Sequence, residues 1–121
     1  MVAREKRAEA YSAMQIAIGQ RIRWARELVE PNRAEFARTM GVDRTTLQKI
    51  EDGDRAPSVF AVIEISHRLR VSTDYILLGT LRGVDGELAA RLLEAHPDLH
   101  EHNRKAMGAD TSQAPRKRGR K

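Results

Sequence analysis

From residue 18 onward, large apolar residues recur at helical spacing. Ile18, Ile22, Ala25 and Val29 fall at i, i+4, i+7 and i+11, which places them on one face of a helix. Residues 2–17 are rich in Ala, Glu, Arg and Lys, good helix formers that extend this helix toward the N-terminus. Gly19 costs a helix roughly 1 kcal/mol against alanine, so a break or a bend can form near it. The helix should stop at Glu30, because the residue before Pro31 is pushed out of the α region. Asn32 then reads as an N-cap, with Glu35 completing a capping box and Pro31 and Phe36 at the hydrophobic-staple positions. Phe36, Ala37 and Met40 form the inner edge of this second helix, and Gly41 can adopt the left-handed conformation that ends it. Asp43 is the expected cap of a third helix that stops at Gly53. Ser58 caps a fourth, with Val62, Ile65 and Leu69 at i, i+3 and i+7, and Ser72 caps a short fifth, TDYILL, ending at Gly79. The pattern predicts an all-α chain whose centre, 18–79, is five short helices on tight turns.

Beyond Gly79 the signal weakens. DGELAARLLEA (85–95) predicts one more helix, with Leu88, Leu92 and Ala95 on one side and Pro97 ending it. From Gly108 there is no large apolar residue, and a disordered tail is expected. The chain therefore divides into an N-terminal helical extension (1–14), a central domain (15–79), a C-terminal extension (80–107) and a basic tail (108–121).

Charge sharpens this division. The net charge is +5, yet residues 15–79 hold ten Lys/Arg against nine Asp/Glu, and PRKRGRK (115–121) alone carries five basic side chains. A polyanion must therefore be met by a local face or by the tail, not by bulk charge. There is no cysteine, hence no disulfide framework, thiolate metal site or cysteine nucleophile. No apolar run is long enough for a membrane span, and the N-terminus lacks the apolar stretch of a secretory signal. The cluster His96, His100 and His102 lacks HExxH spacing and is interrupted by Pro97, so solvated histidines are expected rather than a metal site. No phosphate-binding glycine loop and no GxSxG elbow occurs; neither an enzyme nor a cofactor is expected. On a wheel Trp24 lies about 120° from the apolar face of its helix. It can pack under residues 2–14, under the 85–95 helix or against a partner, or simply stand exposed.

The stretch GVDRTTLQKIEDG (41–53) carries the functional signal. At 100° per residue Leu47 and Ile50 point inward, Thr45 lies nearly opposite, Gln48 and Lys49 flank it, and Arg44 stands at the N-terminal border. Two short helices with Gly41 in the turn between them make a helix-turn-helix, whose second helix can enter a DNA major groove. Arg and Lys can bond guanine O6 and N7, Gln can bond adenine N6 and N7, and a Thr methyl can touch the thymine methyl.

Residues 18–79 resemble the Cro/CI-type (XRE) helix-turn-helix repressors of phages and bacteria, through IGQRIRWAREL, NRAEFARTMGVDRTTLQKIEDGDRAPS and VIEISHRLRVSTDYILLG. The resemblance implies a lambda-repressor-like five-helix DNA-binding domain in the cytoplasm of a prokaryote, acting as a homodimer on a palindromic operator. It implies base reading by Arg44, Thr45 and Lys49, with Gln48 nearby, and phosphate contacts from Asn32, Arg33, Arg55 and Ser58. It also implies a structural ion pair between Arg26 and Glu51. Where the family often has Gln at the first position of its second helix, this chain has Arg33. Arginine can hold a phosphate but cannot accept a hydrogen bond, which puts the usual buttress to the third helix in question. Three readings follow: a sequence-specific transcriptional regulator, an antitoxin or co-regulator whose main partner is a protein bound through residues 80–107, or a nonspecific or RNA-binding basic protein that depends on PRKRGRK. The basic tail is either an arm on the DNA backbone or idle.

Overall fold

A computed structural model describes residues 2–99, and these form six helices and no strand. The tail, the histidines at 100 and 102 and the end of the C-terminal extension lie outside the described residues. The helices are α1 (Val2–Val29), α2 (Arg33–Met40), α3 (Arg44–Glu51), α4 (Val59–Leu69), α5 (Thr73–Leu78) and α6 (Gly86–Ala95).

The local punctuation is made by short side-chain caps. Asn32, Ser58 and Ser72 each accept a hydrogen bond from the backbone N–H three residues on, at 3.0 Å in all three cases. Gly41 ends α2 in the left-handed region (φ 74°), with its N–H donating back into the last turn. The capping box is only half formed. The Glu35 carboxylate pairs with Arg38 one turn on, a charged donor that outcompetes the neutral Asn32 N–H. That N–H donates instead to Glu30 Oε2 at 3.0 Å. Asp43 has the extended backbone of an N-cap but makes no side-chain cap bond. The end of α4 falls on Arg70, held left-handed at φ 60° with no glycine to announce it.

One core joins the helices. Ile22 and Ala25 of α1, Phe36 and Ala37 of α2, Leu47 and Ile50 of α3, and the Val62–Ile65–Leu69 stripe of α4 are buried together with Val71, Tyr75 and Ile76. Leu88 and Leu92 of α6 and Leu99 after it enter the same cluster. Two expected faces shift. Val29 is exposed while its neighbour Leu28 packs against the core, and Ala95 is exposed, Leu99 taking the inward place beyond it. Trp24 stacks on His96, with ring centroids 4.0 Å apart and planes inclined by 19°, so its partner is the segment that follows α6.

Gly19 breaks nothing: α1 runs through it unbroken. A Cβ at this position would collide with the Ile50 carbonyl oxygen and lie 2.8 Å from that of Glu51. The glycine therefore lets α1 lie directly on the C-terminal carbonyls of α3, a close approach of two backbones that no side chain permits. Nearby, Gln15 Nε2 donates to the Gly53 carbonyl (2.9 Å), tying the loop after α3 to α1 as well.

Candidate nucleic-acid interface

Helix α3 has a held face and a free face. Leu47, Ile50 and Glu51 are buried, whereas Arg44, Thr45, Gln48 and Lys49 are exposed. Among the described residues neither Arg44 nor Lys49 has a carboxylate within ion-pair distance, so both cations are available to an incoming ligand. The same holds for Arg55, exposed in the loop between α3 and α4.

What holds the other face is a buried carboxylate. Glu51, with no side-chain exposure, is met by three arginines from two helices. Arg26 of α1 donates through Nε (2.5 Å) and Nη2 (3.2 Å) to its two oxygens. The remaining Nη1 of Arg26 donates to the carbonyls of Glu30 and Pro31, so each of its nitrogens has an acceptor. Arg33 of α2 donates through Nε to Glu51 Oε1 at 3.0 Å. Arg23 of α1 lies 3.5 Å from the same oxygen and pairs with Asp52 at 2.5 Å. Such a carboxylate costs several kcal/mol to desolvate, and only multiple charge-assisted hydrogen bonds offset it.

Arg33 thus buttresses α3. The acceptor is Glu51 on α3 and the donor is on α2, so the arginine does by donation what was in question because it cannot accept. Its outer guanidinium edge remains partly exposed, beside the start of α2. Asn32 spends its Oδ1 on the α2 cap, and Ser58 a lone pair of its Oγ on the α4 cap; the Asn32 side-chain NH2 and the Ser58 hydroxyl proton have no partner among the described residues.

Two groups were not legible as part of this frame. Arg23 shares a flank with Arg26, one helical turn away, which is the signal that could have placed it near Glu51. Arg21 lies on the apolar face itself, between Ala17 and Ala25, and is buried. It donates to the carbonyls of Ile76 (Nε, 3.0 Å) and Leu77 (Nη2, 3.0 Å), capping the end of α5, while the Tyr75 hydroxyl donates to the Arg21 carbonyl at 2.7 Å. Burial lowers the Arg21 guanidinium to about 10 and pushes the Tyr75 phenol above its ordinary value. Neither group faces the free side of α3; both fix α5 to α1.

Residues 22–76, from the last two turns of α1 through most of α5, match the family model described as helix-turn-helix. This part of the chain belongs to the Cro/CI-type (XRE) helix-turn-helix family. The XRE-type domain is a DNA-binding, transcription-regulating module, and α2 and α3 are its helix-turn-helix pair. No curated protein and no solved structure matches the chain. No helix among the described residues is long and apolar enough to cross a membrane, and no group of three or more metal-ligating side chains is gathered there.

Proposed function

We propose that this protein is a sequence-specific repressor that binds a palindromic operator as a homodimer, with α3 in the major groove. The observation that carries this is the division of α3. Its inward residues are fixed by core packing and by three arginines, and its outward residues have no charged partner among the described residues. Arg44 and Lys49 take the role of guanine contacts, Gln48 of an adenine contact and Thr45 of a thymine-methyl contact. Asn32 and Arg33 at the start of α2, and Arg55 and Ser58 before α4, hold phosphates. Both helix starts favour an anion through their free N–H groups and dipole. Arg33 does this with the edge that Glu51 leaves free. Residues 15–79 are the DNA-binding part, acting in a prokaryotic or phage-encoded cytoplasmic protein. Residues 80–107 are an extension, on which a protein partner would meet Leu93 facing outward and Leu88 and Leu92 already turned into the core.

Selection of bound duplexes from a random DNA pool tests this reading. The expected result is an enriched site with two-fold symmetry and half-site centres about one helical turn, roughly 34 Å, apart. A pool that stays unenriched while the protein binds all duplexes alike would refute base reading by α3.

A further inference from the structure

A cavity of about 240 Å³ opens between α3, the turn before it and the start of α4. It lies along the flank of α3 that carries Thr46, which falls on the wheel between inward Ile50 and outward Lys49. Six of its nine lining residues are apolar, and they are graded by depth. Leu47 and Ile50 are its buried floor; Met40, Val42 and Ala61 are half-buried. The polar residues stand at the rim: Thr46 on α3, and Arg55 and Ser58 in the exposed stretch leading into α4. An apolar cavity of about 150 Å³ is enough to take a benzene ring. The space beside α3 therefore holds one ring with a short polar arm, and it is smaller than the pockets of drug-sized ligands.

The rim has a definite sign. Arg55 is its one charged residue, and no acidic residue lines the cavity. Among the described residues no carboxylate lies within ion-pair distance of Arg55. The Ser58 hydroxyl accepts from the Ala61 N–H at 3.0 Å and keeps its own proton for an acceptor at the rim. An apolar floor of one-ring size below a cationic, hydrogen-bonding rim complements a small aromatic carboxylate. The ring lies against Leu47 and Ile50, and the carboxylate meets Arg55 in a charge-assisted pair. An inorganic anion would leave the apolar floor unused, and a neutral arene would leave the guanidinium without its counter-charge.

We propose that this cavity binds a small aromatic carboxylate and that the bound ligand releases the protein from DNA. Binding stands on the cavity itself; release rests on the operator reading, in which Arg55 and Ser58 hold a phosphate. The two uses exclude each other, because the ligand's carboxylate takes the same side chains that a phosphate would take. A ligand that competes with DNA lowers the apparent affinity for DNA by a factor of one plus its concentration over its dissociation constant. By linkage, DNA weakens the ligand to the same degree.

The test uses the full chain and phenylacetate, with acetate (the head without the ring) and benzyl alcohol (the ring without the charge) as controls. In spectra of methyl-labelled protein, phenylacetate should shift the methyls of Met40, Val42, Leu47 and Ile50 and leave those of Leu88 and Leu92 in place. With a dissociation constant of about 1 mM, phenylacetate at about 10 mM should weaken binding to the tightest duplex recovered from the random pool by roughly 10-fold. Neither control should do so at matched ionic strength. Ala61→Leu fills the cavity from α4 without touching Arg55. It should keep the ligand-free affinity for DNA and lose the response to phenylacetate, with a thermal melt alongside to show that the fold is kept. Wild-type methyls that stay in place, or a loss of affinity that acetate or benzyl alcohol reproduces, overturn the proposal and leave the operator reading standing. Shifted methyls with unchanged DNA affinity overturn the release. A folded Ala61→Leu chain that still responds puts the ligand elsewhere and overturns the proposal as well. If wild type binds no duplex, the operator reading fails and the proposal with it.

Discussion

Gly19 carries a requirement that its own neighbours in sequence do not express. Helix propensity alone favours Gly19→Ala by about 1 kcal/mol. The new methyl, however, would meet two backbone carbonyls at the end of α3, which cannot step aside as a flexible side chain would. Overpacking of this kind costs ~1–3 kcal/mol and more when backbone must move. Gly19→Ala should therefore destabilise the protein, read as a lower midpoint in urea; an unchanged or raised midpoint would show that α1 and α3 can part cheaply. No break forms at Gly19, for the same reason. A glycine in a helical pattern has the same local signature whether it breaks the helix or admits a neighbour, and the neighbour lies far along the chain. His96 is a second residue whose role is set at a distance. Burial against Trp24 holds its imidazole below the ordinary value, and the charges of Glu27 and Asp98 only partly oppose this. The unfolded chain thus takes up a proton at higher pH than the folded one, so stability should be full above about pH 6.5 and decline as the pH falls through the folded value. His96→Phe keeps a ring on Trp24 without a proton to bind. Urea midpoints at pH 7.5 and 5.5 should differ less for this variant than for wild type, and an equal difference would remove His96 as a cause.

At the scale of the element, α3 separates two jobs along one short helix. Leu47 is fully buried, so Leu47→Ala should cost ~2–5 kcal/mol of stability. Arg44→Ala and Lys49→Ala should leave the melt nearly unchanged. Arg44→Ala should lose ~1–3 kcal/mol on the preferred site and relax the choice at one base position per half-site. Binding series against single-base operator variants decide the matter. Uniform weakening with an unaltered preference profile would make these side chains phosphate contacts instead. Arg33→Ala should differ from both, lowering stability through Glu51 and affinity for every sequence. The elements themselves were largely legible, because their ends are written locally. Asn32, Ser58 and Ser72 cap within three residues, and Gly41 and Gly79 stop the turns they follow. The Arg70 stop was not, since a left-handed arginine has no signal of its own. The three-arginine nest around Glu51 was legible only in part, because wheels place residues on flanks but do not say which flanks of different helices meet.

For the molecule as a whole, the contrast is between a nearly neutral packed body and a strongly basic end. Deleting residues 115–121 should lower affinity for all duplexes alike and flatten the dependence of log K on log salt, by about 0.9 for each phosphate that this segment neutralises. An unchanged slope and affinity would show that these residues play no part in binding. Core burial reaches from α1 to Leu99, so the same packing that orders α3 also secures α6 against α1 through Leu88 and Leu92.

The burial of Glu51 has a consequence for how binding is measured. A helix anchored at its last residue by charges on two neighbours cannot fray or unwind without exposing an unpaired carboxylate. The amide hydrogens of Leu47 to Glu51 should therefore exchange with solvent only as the whole domain opens. On the proposed reading, α3 would meet DNA already ordered, and no coupled folding of α3 would add to the heat-capacity change on binding, which calorimetry would report as that of the buried interface alone.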